Sequence, residues 1–207
     1  MTTIQIIKTT LLAFVALFGM QTIKAAERFV NFNQGDLLLN PQKQVTITTD
    51  EADFKAVDIA VHALAADFGR VTGQDAVLQH QADAKIIVGT IGHSKFIDQL
   101  AKKKLIDATQ LKGKREKFII TTVGKQLIIA GSDRRGTVYG IYELSAQMGV
   151  SPWYYWADVP TERHEEIYVN QGIYTDGEPA VAYRGIFLND EAPCLSTWIK
   201  NTFGTNY

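Results

Sequence analysis

Hydrophobic and polar positions alternate and then cycle along this chain, and the changes of period mark its elements. Over residues 44–48, Val45 and Ile47 alternate with polar neighbours, which predicts a half-buried strand. Asp50 follows as an N-cap candidate with Asp53 three residues on, and Phe54, Val57, Val61, Leu64 and Phe68 then recur at helical spacing. Gly73 is placed to stop that helix. Residues 85–88 (KIIV) read as a buried strand ending at Gly89 and Gly92, and a second helix is expected from about Ser94 to Lys104. The β-rich runs 118–122 and 127–130 flank Gly124-Lys125, which predicts a hairpin. A third helix starts near Ser132-Asp133 and ends at Gly149, and its Gly136 and Gly140 lie one turn apart, so its backbone can approach a sheet closely. Strands alternating with helices predict an α/β fold, a small layered domain over residues 30–165.

Beyond Pro160 the texture changes. Residues 167–169 and 173–174 read as a further extended pair, and Thr175-Asp176-Gly177-Glu178-Pro179 is a dense turn signal, so 166–181 form connecting strands and a linker. Residues 182–188 (AYRGIFL) read as a buried strand leading directly into Asn189-Asp190-Glu191. An amphipathic segment carrying Trp198, Ile199 and Phe203 closes the sequence.

At the other end, residues 1–26 hold no acidic side chain, an early Lys8, the apolar run 11–18 (LLAFVALF) and small Ala25 and Ala26. That order predicts a signal peptide over residues 1–25 and hence an exported protein, periplasmic or extracellular. A membrane anchor is the alternative, but the apolar run falls well short of the ~20 residues of a bilayer span.

Composition narrows the function classes. The 207 residues are 46% hydrophobic and 21% charged, which excludes disordered, collagen-like and disulfide-scaffold chains. A full (β/α)8 barrel takes about 250 residues, more than this length offers. The 21 basic and 22 acidic residues give a net charge of −1, with none of the basic excess that a nucleic-acid partner calls for. Loss of Lys8 and Lys24 with the signal leaves 19 basic residues and a charge near −3. The single Cys194 has no intrachain partner and reads as a buried small hydrophobe. No metal site or cofactor is expected: His62, His80, His93 and His164 are dispersed, and His164-Glu165 lacks the second histidine of a zinc helix.

Three stretches carry candidate chemistry. Residues 131–137 (GSDRRGT) follow a strand and open a helix in a phosphate-loop frame, but Thr137 stands where the lysine belongs, and a cap by Ser132 or Asp133 explains the loop better. Asp133 also offsets Arg134 and Arg135, which oppose the helix dipole. Trp153-Tyr154-Tyr155-Trp156 is either a stacking platform for sugar rings or a set of aromatics pinning a domain interface, with the interface favoured. Asn189-Asp190-Glu191 is either an acidic strand-to-helix loop or the catalytic end of a barrel strand.

Residues 131–160 (GSDRRGTVYGIYELSAQMGVSPWYYWADVP) and 183–207 (YRGIFLNDEAPCLSTWIKNTFGTNY) together resemble the N-terminal part of glycoside hydrolase family 115, the xylan α-1,2-glucuronidases. The resemblance implies a signal peptide and an α/β domain, followed by a (β/α)8 catalytic barrel of which residues 182–207 are the start. It implies an exported, inverting hydrolase that removes glucuronic acid or 4-O-methylglucuronic acid from xylan branches. Inversion needs two carboxyl groups roughly 6.5–9.5 Å apart. Asp190 and Glu191 are adjacent and diverge at a strand end, so the resemblance puts the catalytic acid and base on later barrel strands. No catalytic residue is expected within these 207, and the chain alone is expected to be inactive. Asp190 is the expected substrate contact, supported by Asn189 and Glu191, with xylan-derived glycan as partner. Arg184 is expected to serve a structural ion pair. The alternatives are a β-hexosaminidase-like hydrolase fragment and a non-enzymatic carbohydrate-binding or scaffolding module.

Overall fold

The computed structural model describes residues 28–190 and 194–204. The expected signal peptide, residues 1–25, and Glu191 lie outside these described residues. Among the described residues, nine strands form two sheets. The larger has six strands in the order β4-β3-β5-β7-β6-β9, where β3 is Thr46–Thr48, β4 Val77–Gln79, β5 Ile86–Thr90, β6 Phe118–Val123, β7 Gln126–Gly131 and β9 Ile173–Tyr174. Its β4, β3, β5 and β7 run parallel, while β6 is antiparallel to both β7 and β9. The smaller sheet places β8 (Tyr168–Val169) antiparallel between β1 (Val30–Asn31) and β2 (Leu37–Leu38).

The central strands are apolar on both faces because both faces are covered. Ile86, Val88, Leu127, Ile129, Phe118 and Ile120 face one core, against α1 (Lys55–Thr72) and α3 (Arg134–Gln147). Their neighbours Ile87, Ile128, Ala130 and Ile119 face a second core with Phe96 and Ile97 of α2 (Lys95–Lys102). The stripe Val57, Val61, Leu64 and Phe68 of α1 is fully buried as the spacing predicts. Gly73 ends α1 at φ +89, a left-handed conformation that suits glycine. In α3, a Cβ on Gly136 would stand 2.3 Å from the Lys117 carbonyl oxygen, so the helix touches the start of β6 through bare backbone.

Three readings are corrected. Residues 182–188, expected as a buried strand, form no strand; Tyr183 is 95% exposed and Phe187 89%. A strand needs a neighbour for its backbone groups and cover for its apolar face, and neither meets this run among the described residues. The runs at 167–169 and 173–174 do not pair with each other: β8 joins the small sheet and β9 the edge of the large one. Asp50 does not cap α1; the cap position is Phe54, without a side-chain bond. Asp50 instead accepts from the Lys95 N–H at the start of α2 and pairs with the Lys95 ammonium at 3.6 Å.

Candidate functional site

In an open parallel sheet a ligand enters the crevice beyond the carboxyl ends of the strands where the connections reverse direction. Here that point lies between β3 and β5, and the protein fills it with its own carboxylates. Asp50 takes the Lys95 and Ala52 N–H groups, while Asp53 takes those of Thr90 at 2.7 Å and Phe54 at 2.8 Å. The next helix start is closed in the same way. Asp133 accepts from Gly136 N–H at 2.8 Å through one oxygen and from Glu116 N–H at 2.8 Å through the other. The phosphate-loop frame at 131–136 is thus a self-capped helix terminus.

The C-terminal segment begins with a strap. The Lys114 ammonium lies 3.4 Å from Glu178, the Arg115 N–H donates to Glu178 at 2.8 Å, and its guanidinium donates to the Pro179 carbonyl at 2.6 Å. Arg184 then donates to the Glu116 carboxylate and, at 3.2 Å, to the Tyr139 hydroxyl. Arg135 approaches the same carboxylate at 3.2 Å. The Arg184 hydrogen bond, aided by the charge of Arg135, holds the Glu116 carboxyl below the usual range. Arg184 therefore makes the expected ion pair, although not from within a strand. Glu116 and Tyr139 escaped the sequence reading, which gave Arg135 only an unfavourable position against the helix dipole. Glu116 sits at φ +53 in a connection and is only 6% exposed, a burial that no local pattern announces.

Beyond the strap, Asp190 accepts from the Ser196 hydroxyl at 2.6 Å, and the Asn189 carbonyl from the Leu195 N–H at 3.2 Å. Both residues are exposed and both tie the extended segment to α5 (Leu195–Phe203). Their side chains can offer oxygen acceptors to a polyhydroxylated ligand. Cys194, expected to be buried, is exposed at the cap position of α5; no core covers this stretch among the described residues.

The aromatic run divides by residue. Tyr154, in the short helix α4 (Tyr154–Ala157), packs on the first core with the Arg70 guanidinium 4.6 Å from its ring centre. Trp156 stacks on Trp198 of α5 at 4.5 Å, and Tyr155 meets Trp198 and Phe203 at 5.9 and 6.1 Å. These contacts join α4 to α5, as the interface reading requires, yet Tyr155 and Trp156 keep about half their surface in solvent. Among the described residues no group of three His, Cys, Asp or Glu side chains could hold a metal ion, and no helix is long and apolar enough to cross a membrane.

Comparison with known proteins places this architecture. Residues 36–144 match the family described as Glycosyl hydrolase family 67 N-terminus, and the chain belongs to that family of N-terminal α/β domains. Residues 176–207 match Glycosyl hydrolase family 115. A solved family 115 4-O-methyl-alpha-glucuronidase, BtGH115A, described as specific for decorated arabinogalactans, is 36% identical and superposes with a TM-score of 0.73. The alignment covers 83% of this chain and 22% of that one, so the chain is a family-115-like N-terminal segment spanning about a fifth of that relative's length. A Streptomyces plicatus beta-hexosaminidase is 12% identical over 76% of this chain and 26% of its own, with a TM-score of 0.48. A Flavobacterium johnsoniae chitobiase is 13% identical over 77% and 21%, with a TM-score of 0.43. Neither of these two likenesses is close enough to bear on fold or function. No curated protein matches the chain.

Proposed function

We propose that this chain is the N-terminal portion of an exported, inverting glycoside hydrolase that removes glucuronic acid or its 4-O-methyl ether from polysaccharide side branches. Its α/β domain, residues 30–165, is a non-catalytic scaffold. Residues 166–181 connect it to a (β/α)8 barrel that starts at 182. The observation that carries this reading is the order of the two family matches along one chain: an N-terminal α/β domain over 36–144, then a catalytic-family match from 176. Two features of the α/β domain support its scaffold role. Its ligand crevice is filled by Asp50 and Asp53, and its free helix terminus by Asp133.

In this reading the strap through Glu178 and Arg184 fixes where the barrel begins. Residues 182–188 gain strand partners from later barrel strands, which cover the exposed Tyr183, Ile186 and Phe187. Asp190 then sits at the catalytic end of the first strand and contacts the sugar, with Asn189 and Glu191 beside it. The acid and base of inversion come from later strands, so residues 26–207 alone hydrolyse nothing.

The test uses glucuronoxylan and glucuronic-acid-decorated arabinogalactan as substrates. Residues 26–207 alone are expected to release no uronic acid from either; measurable release overturns the reading. A chimaera in which they replace the matching segment of the family 115 relative is expected to retain activity. Its Asp190→Ala variant should lose at least about tenfold in kcat/KM, equivalent to about 1.4 kcal/mol. A cooperatively folded chimaera without activity also overturns the reading.

A further inference from the structure

On the outer side of α1 and α3, away from the sheet, the 150–156 segment closes a cleft of about 550 Å³. That is within the 300–1,000 Å³ of small-molecule sites. Tyr142, Tyr155 and Trp156 give it aromatic walls. Asp67, Arg70, Ser145 and Ser151 add polar side chains to the lining.

The charges at this site are already balanced. Asp67 is only 6% exposed, and one of its oxygens accepts from Arg70 at 2.6 Å. An anionic ligand gains little from an arginine already engaged by a carboxylate, and it meets the repulsion of Asp67. A neutral polyol has no such conflict: its hydroxyls donate to Asp67 and accept from Arg70 together. Burial, and then the charge of Asp67, push the Tyr142 hydroxyl upward, so it stays protonated and can donate. Ser145 lines the floor of the cleft, but its hydroxyl is buried beneath it and offers a ligand no contact. Half-exposed aromatic rings beside such groups suit a ligand with apolar C–H faces and hydroxyl edges.

We propose that this cleft is a non-catalytic binding site for neutral sugar residues of an oligosaccharide. It lies within the α/β domain and does not depend on the hydrolytic reading, so the two stand or fall separately. The probes are xylotetraose and a β-1,3-linked galactotetraose, with free glucuronic acid as the charged comparison. They are titrated into residues 26–207 and followed by tryptophan fluorescence and saturation-transfer NMR. At least one tetraose is expected to bind saturably, and more tightly than glucuronic acid. Tyr142→Ala should weaken that binding about tenfold. Trp153→Ala, outside the cleft, should leave it unchanged, with cooperative melting retained in every variant. Absence of tetraose binding at about 10 mM, a limit near −3 kcal/mol, overturns the proposal. So does preference for glucuronic acid, or an affinity unaffected by Tyr142→Ala.

Discussion

Arg184 donates to the buried carboxylate of Glu116, which lies 68 residues earlier in the chain. The pair crosses from the exposed C-terminal segment to the edge of the α/β core, just before the run at 185–188, which has no strand partner among the described residues.

Loss of this tie should loosen the segment without melting the domain. In Arg184→Ala, Glu116 keeps Arg135 at 3.2 Å, and partly exposed ion pairs stabilise by less than about 1 kcal/mol. The melting temperature is expected to hold, while 15N order parameters of residues 180–186 fall below about 0.6. Unchanged order parameters would show that the segment is held by other contacts.

The contact between α3 and β6 should tolerate no side chain. A Cβ at Gly136 meets backbone at 2.3 Å, and the carbonyl of Lys117 is held in place by the Ser132 N–H at 2.8 Å. Gly136→Ala is expected to cost about 1–3 kcal/mol in urea unfolding, the usual penalty of overpacking. A neutral substitution contradicts the close approach.

Asp50 should make the domain acid-sensitive in a defined direction. Burial alone raises its pKa, but the N–H groups of Lys95 and Ala52 outweigh it and hold the carboxyl below its usual 3.8. A lowered folded-state value stabilises fully above the unfolded value and is lost as pH falls through the folded one. Asp50→Asn keeps an acceptor oxygen but loses the charge, and is therefore expected to be less stable by about 1 kcal/mol at pH 6, the margin of a charge-assisted over a neutral hydrogen bond. The gap from wild type should narrow below pH 3.8. Parallel stability curves from pH 6 to pH 2 would remove Asp50 from the acid response.

Cys194, the single cysteine, is exposed beside α5. One thiol per chain is expected to react with a thiol reagent in native buffer, at the rate seen in urea. Protection in the native state would mean that this stretch is covered.

The sequence by itself determined the layered α/β domain. The α1 stripe, the doubly apolar β5 and β7, the hairpin at Gly124 and a cap at Ser132 or Asp133 all depend on residues within a few positions of one another; the structure selects Asp133 for the cap. Local periodicity and capping chemistry suffice for those. The family resemblance was likewise legible, because it lies in long contiguous phrases. Tertiary structure decided which polar groups meet. Asp50 serves the helix after β5 and not the one it precedes, because the parallel pairing of β3 with β5 brings Lys95 to it. Glu116 finds Arg184, and Asp67, Arg70, Tyr142 and Ser145 border one cleft, only after α1 and α3 pack side by side and the chain returns along the sheet edge. Residues 182–188 show the same limit from the other side. Their apolar pattern states a preference for a strand, and a strand forms only where another strand supplies the hydrogen bonds.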